Sequence, residues 1–171
     1  MKSNITSVCF LNDYNKAIST MVSDKLDLYY ADINDYLEFN MVNANEVIAK
    51  CGVEYLEKLE IDSVKSVASF ENAVISIEPR LFIKQKSLNA LKNSGIVIYV
   101  RLPKKVYADQ INKAKKDKKD EMLNILNVYD DYDKICTQNA DIIIDSKNLN
   151  EKSIYKKMLK HIEMYFTDNK I

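Results

Sequence analysis

Ile5-Thr6-Ser7-Val8-Cys9-Phe10-Leu11-Asn12-Asp13-Tyr14-Asn15-Lys16 begins apolar and β-branched and ends polar. A helical run follows at once, Ala17 to Lys25. The order is strand, turn, helix, and in an α/β protein such a turn is the place of a phosphate-binding loop. No glycine lies between Cys9 and Thr20. A phosphate loop uses glycine so that the backbone can turn its N–H groups onto the ligand. The stretch therefore points to a fold class while withholding its usual chemistry.

The alternation continues outward. Thr6–Leu11, Leu28–Ala31, Ala73–Ile77, Ile96–Arg101 and Asp141–Asp145 read as strands. Ala-Val-Ile-Ser-Ile, Ile-Val-Ile-Tyr-Val and Ile-Ile-Ile within them are nearly all apolar and β-branched, as strands covered on both faces are. Helical patterns fill the intervals at Ala17–Lys25, Asn45–Lys50, Val53–Ser69, Ser87–Asn93, Pro103–Asn127, Asp133–Asn139 and Glu151–Phe166. Asn43-Ala-Asn-Glu46 has the form of a capping box. Strands each followed by a helix predict an α/β three-layer fold: a parallel five-stranded sheet with helices on both faces. No linker or repeat interrupts it, so residues 1–171 are expected to form a single domain. Ligands in such folds bind beyond the carboxyl ends of the strands, here Asn12–Lys16, Asp32–Asn34 and Glu78–Arg80.

Composition narrows the function. The formal net charge is zero, and 29% of residues are charged. That gives no general pull toward nucleic acid or an anionic membrane surface. In Lys113–Glu121 five lysines are interrupted by Asp117, Asp120 and Glu121, the pattern of a solvated helix face. Ile96-Val-Ile-Tyr-Val100 is too short to span a bilayer, and Met1–Ser7 lacks the apolar core of a signal peptide. The expected setting is the cytoplasm, with neither nucleic acid nor membrane as partner. Cys9, Cys51 and Cys136 are widely spaced and His161 is the one histidine, so no metal site and no cysteine–histidine or serine–histidine catalytic set is expected. Two scarcities stand out: the chain has 2 glycines, Gly52 and Gly95, and its only arginines are Arg80 and Arg101.

Several segments together carry a family likeness. Asp24-Lys-Leu-Asp-Leu-Tyr-Tyr-Ala-Asp-Ile-Asn34, Cys51-Gly-Val-Glu-Tyr-Leu-Glu-Lys-Leu-Glu60, Ala73-Val-Ile-Ser76, Gly95-Ile-Val-Ile-Tyr-Val100 and Tyr132-Asp-Lys-Ile-Cys-Thr-Gln-Asn-Ala-Asp141 resemble the scaffold of the shikimate kinases, of the P-loop, nucleoside-monophosphate-kinase-like fold. The resemblance covers nearly the whole chain and implies the strand order 2-3-1-4-5. It fails at the chemical positions. Set against G-x-x-x-x-G-K-[ST], the glycines fall at Cys9 and Tyr14, the lysine at Asn15 and the magnesium-ligating hydroxyl at Lys16. Asp13 adds a negative charge where phosphate would sit, and like charges about 4 Å apart repel by about 4 kcal/mol at an effective dielectric near 20. The family's Asp-Thr-Asp appears as Asp32-Ile33-Asn34, and its carboxylate-gripping arginine as Glu57. The triple glycine is Glu78-Pro79-Arg80. Leu102–Met122 holds no lid arginine, and the arginine after the lid is Tyr132.

The joint loss implies a degenerate, non-catalytic pseudo-kinase acting by binding a protein partner or a small anionic or polyol ligand. No catalytic residue and no cofactor are expected. Lys16 and Asp32 remain as residual cofactor-binding candidates, and Asn34, Glu57, Glu60 and Arg80 as a substrate-pocket remnant. The alternative is an active shikimate-type kinase using ATP and magnesium, with phosphate-binding lysines relocated to Lys16 and to Lys113, Lys115, Lys116, Lys118 and Lys119. A third reading is an α/β binding module with no nucleotide history, which a strand order other than 2-3-1-4-5 would favour.

Overall fold

The computed structural model describes residues 3–40 and 43–168. Residues 1–2, 41–42 and 169–171 of the expected single domain lie outside it. Five strands form one parallel sheet: β1 (Asn4–Val8), β2 (Tyr29–Asp32), β3 (Ala73–Ile77), β4 (Gly95–Arg101) and β5 (Ile142–Asp145), in the order β2-β3-β1-β4-β5. That is the order the resemblance implies; the different order that would favour the third reading is not found.

The apolar strand runs explain the three layers. Successive residues of a strand face opposite sides of the sheet. On β4, Val97 and Tyr99 enter one buried cluster with Val8, Ile75 and Ile77. Ile96, Ile98 and Val100 enter the other, with Ile5, Val74 and Ile144. The second face is covered by α1 (Asn12–Leu26), through Ile18 and Val22, and α10 (Glu151–Asp168), through Ile154, Met158 and Ile162. The first is covered by α4 (Val53–Ala68) and α6 (Gln85–Ser94), through Val64, Val67, Leu88 and Leu91. Gly95 is needed at the start of β4 for space. A Cβ there would stand 1.8 Å from the Asn4 carbonyl oxygen.

Four departures from the sequence reading matter at the carboxyl end of the sheet. First, α1 starts at Asn12, so only Cys9, Phe10 and Leu11 connect it to β1. Second, α2 (Ile33–Asn40) follows β2 directly, because the Asp32 side chain accepts the Asp35 N–H at 3.0 Å and caps the first turn. Third, Pro79 opens a short helix, α5 (Pro79–Phe82), at the position proline tolerates best. Fourth, the long helical pattern after β4 divides into α7 (Lys104–Lys113) and α8 (Lys116–Asn127), with Ala114 and Lys115 extended between them. Lys115, Lys118 and Lys119 recur at i, i+3 and i+4, where like charges weaken a continuous helix. The remaining helices are α3 (Ala44–Cys51) and α9 (Tyr129–Asn139). At α3 the Asn43 side chain accepts the N–H groups of Asn45 and Glu46, which is the N-cap half of the expected capping box.

Candidate functional site

A cleft of about 940 Å³ opens beyond the carboxyl ends of the strands. Its walls are Phe10–Tyr14 after β1, Asn34 after β2 and Glu78–Arg80 after β3, with Tyr107 and Gln110 of α7 and Glu121, Met122 and Ile125 of α8 above. The placement is the one that open parallel sheets provide.

The turn after β1 is closed by its own side chains. Asn15, on the motif position of the lysine, is wholly buried. Its Nδ2 donates to the Ser7 carbonyl at 2.9 Å and the Ile77 carbonyl at 3.4 Å, and its Oδ1 accepts from Ser7 Oγ at 2.6 Å. The side chain thus ties α1 to β1 and β3. Tyr14, on a glycine position, is buried, packs in the cluster beneath α1 and shares a hydrogen bond with Ser146 Oγ at 3.1 Å. The backbone follows the side chains. Cys9 N–H donates to Ile77 O at 3.3 Å and Asn15 N–H to Leu11 O at 2.9 Å. Positive φ among the described residues occurs at Asp27, Gly52 and Asn72, none of them in this turn. The Cys9 thiol is buried, and burial pushes it up to about 12, which makes it a core group and no nucleophile.

Lys16 and Asp32 do not line the cleft. Lys16 Nζ lies 2.5 Å from Asp35 Oδ1 and 3.6 Å from Asp32 Oδ1. Partial burial disfavours its ammonium. The bond to Asp35 and the charges of Asp32 and Asp35 outweigh that and hold it above the ordinary lysine value. Asp32 is itself fully engaged. One oxygen caps α2 and the other accepts from Ser76 Oγ, whose hydroxyl also meets Tyr30.

The floor after β3 is ionic. Arg80 Nη1 donates to Glu60 Oε1 at 2.8 Å and its Nη2 to Glu78 Oε1 at 3.2 Å, while Lys84 Nζ takes Glu60 Oε2 at 2.6 Å. Burial works against the Glu60 carboxylate, but the Lys84 bond and the Arg80 charge and bonds hold it below the usual carboxylate range. Glu78 goes the other way. Burial raises it, Arg80 lowers it, and the charges of Glu121 and Glu60 add to the rise. Of the expected remnant, Asn34, Glu60 and Arg80 line the cleft. Glu57 does not: it stands exposed at the rim, 4.0 Å from Lys84 Nζ. Glu121, which lines the cleft, and Lys84, which backs it through Glu60, are not among the pocket residues expected from the sequence. Lys84 stands at the N-cap of α6, just past the short helix that Pro79 opens. Glu121 arrives only because the lid breaks at residues 114 and 115.

The other candidates stay apart. His161 is exposed on α10. No metal-ligating group of three His, Cys, Asp or Glu side chains exists among the described residues, and no described helix is long and apolar enough to cross a membrane.

Residues 16–163 match the family model described as shikimate kinase. The chain belongs to the shikimate kinase family. The match begins at Lys16, just beyond the closed turn. Shikimate kinase from Aquifex aeolicus (strain VF5) is 23% identical over 108 residues, 63% of this chain and 64% of that protein. The shikimate kinase of Clostridium botulinum (strain Alaska E43 / Type E3) is 24% identical over 110 residues, 64% of this chain and 67% of that one. The alignment with the Aquifex protein thus spans just under two thirds of its length. Among solved structures, the Aquifex aeolicus shikimate kinase superposes with a TM-score of 0.75 at 22% identity, covering 94% of this chain and 96% of that one. The Acinetobacter baumannii shikimate kinase, solved in complex with shikimate, gives 0.74 at 15% identity over 99% and 96%. These likenesses carry the fold.

Membership corrects the expectation that no cofactor is needed, because shikimate kinases use ATP and magnesium. The residues of this chain do not fit those groups in the described arrangement. The Cys9 N–H is given to Ile77 O, the Asn15 amide is spent on the sheet, Tyr14 is buried where a phosphate loop has glycine, and Asp13 puts a carboxylate on the cleft wall. Asp32, the residual magnesium candidate, has both oxygens occupied and the Lys16 ammonium beside it.

Proposed function

We propose that this member of the shikimate kinase family binds a ligand in its cleft without transferring a phosphoryl group. The observation that carries the reading is Asn15. Phosphoryl transfer needs cations at the developing charge, and the motif's lysine position holds a neutral amide locked to two backbone carbonyls. Supporting it, the cation one residue on, Lys16, is already matched to Asp35 and Asp32. The cleft itself is kept, open and lined by side chains of eight helices and their connections. The test is an ADP-release assay with shikimate, ATP and magnesium at high protein concentration. Rates equal to the protein-free background are expected, and turnover above it overturns the reading.

One observation favours an active kinase instead: Lys113, Lys115 and Lys118 line the cleft. In that case the same assay gives turnover, and replacing these three lysines by alanine abolishes it.

A further inference from the structure

The short connection after β1 divides its side chains between the two faces of the sheet. Cys9 joins the cluster beneath α1 and α10, and Phe10 joins the one beneath α4 and α6. The Cys9 N–H is held by Ile77 O at 3.3 Å and α1 starts at Asn12, so the Phe10 ring is presented by a fixed turn. That ring meets two others from far along the chain. It stacks on Tyr129, with centroids 4.0 Å apart and planes at 21°, and meets Tyr107 edge-on at 5.7 Å and 61°. Tyr107 and Tyr129 lie 5.6 Å from each other, and all three rings are buried. Stacked and edge-to-face pairs stabilise beyond the area they bury.

The two tyrosines stand at the two roots of the lid. Tyr107 lies in α7, which leaves β4, and Tyr129 opens α9, which returns the chain to the sheet. The Tyr129 hydroxyl donates to the Leu102 carbonyl, between β4 and α7, and Lys104 Nζ pairs with Asp130 Oδ2 at 2.5 Å. Asp133 fixes α9 to β4, accepting from Tyr99 Oη at 2.8 Å and from Arg101 Nε and Nη2 at 2.9 and 2.8 Å. The span between the roots, α8, is attached differently. It has no buried residue, and Tyr107 Oη reaches its Met122 carbonyl only at 3.4 Å. Extended Ala114 and Lys115 precede it, and Val128, at φ −109° and ψ 10°, follows it.

We infer that Phe10 is a latch for the lid: it holds α7 and the start of α9 in place with no ligand in the cleft, and leaves α8 as the part free to move. A lid ordered by its ligand has its roots packed only when the ligand arrives. Here three rings of the chain itself supply that packing. Phe10 and Tyr107 also line the cleft, so the latch is part of its wall. A wall set in advance leaves less to be ordered on binding. The inference concerns the lid alone and stands whether or not the cleft transfers a phosphoryl group.

Hydrogen exchange of the full chain, read peptide by peptide by mass spectrometry, tests it. In the ligand-free protein, α7 and the first turns of α9 are expected to exchange slowly and α8 fast. Phe10→Leu keeps apolar bulk and removes the ring contacts. It is expected to speed local opening of α7 and α9 about tenfold. Val22→Ala removes bulk from the other face of the sheet and is expected to leave that local opening unchanged, although it too weakens the whole fold. Tyr107→Leu takes away a different ring of the three, is expected to repeat the Phe10→Leu pattern, and carries the test if Phe10→Leu does not fold. Fast exchange of α7 and α9 in the unaltered protein overturns the inference. So does a rate in α7 and α9 that ignores the ring substitutions. An equal response to the ring variants and to Val22→Ala overturns it as well, because the roots then open only with the whole molecule.

Discussion

Replacing Asn15 by alanine is the sharpest probe of the closed turn. The side chain makes two short hydrogen bonds, to the Ser7 carbonyl at 2.9 Å and from Ser7 Oγ at 2.6 Å, and a longer one to the Ile77 carbonyl. Each short neutral bond is worth about 1 kcal/mol net, and a Ser7 hydroxyl left buried without a partner adds about 1 kcal/mol or more. The expected loss is about 3 kcal/mol, and for a chain of this size that lowers the melting temperature by about 6–12 °C. Urea titration should show a lower midpoint with an unchanged slope, since the substitution alters stability and not the surface exposed on unfolding. Asn15→Lys is expected to be at least as harmful. It restores the motif's residue but places an ammonium among carbonyls, with no carboxylate bonded at that position. A fall of less than about 2 °C for Asn15→Ala, under about 1 kcal/mol, would refute the assignment of Asn15 as the tie between helix and sheet.

Other outcomes follow from the ionic floor and the strand contacts. Glu60 is held below its unfolded value, so its contribution is full above the ordinary carboxylate range and is lost as pH falls through the depressed value; Glu60→Gln should lower stability at neutral pH and flatten the acid limb of a stability–pH curve. Glu78 is raised, so the sign reverses. Glu78→Gln should stabilise the chain near neutral pH, with the gain vanishing once pH drops below the ordinary carboxylate value, where the native acid is protonated folded or unfolded. Tyr14→Phe should cost about 1 kcal/mol in a urea melt, since Ser146 Oγ keeps its bond to the Asn148 carbonyl. Gly95→Ala drives a Cβ into the Asn4 backbone and should cost about 3 kcal/mol, seen as a lowered urea midpoint.

The sheet was readable because its central strands are buried on both faces and carry near-continuous β-branched runs; Ala73–Ile77 matches its expected bounds to the residue. Elements set by single side chains were harder. The helix at Ile33 depends on Asp32 capping it, and Asp32 read as a possible ion ligand. The helix at Pro79 depends on proline standing at its first position, whereas in the sequence Pro79 shows only as a departure from a triple glycine. At the candidate site the losses of glycine and lysine were legible as residue types. Their replacement by a packed core was not, because nothing local says that Asn15 reaches Ile77 across 62 positions. Glu57 shows the opposite failure. A charge reversal aligned with the pocket turned out to face solvent, since alignment fixes a position on a helix and not the direction of its side chain.

The helical start at Asn12 also bears on motion. A loop that waits for a ligand keeps amides that open locally and exchange with solvent until the ligand arrives. Here the Asn15 amide is hydrogen-bonded to Leu11, and the side chains around it are anchored in the sheet. Its hydrogen exchange should therefore run only through opening of the central strands themselves, at the slow end of the molecule's range. The segment that begins α1 is expected to be part of the last structure to come apart.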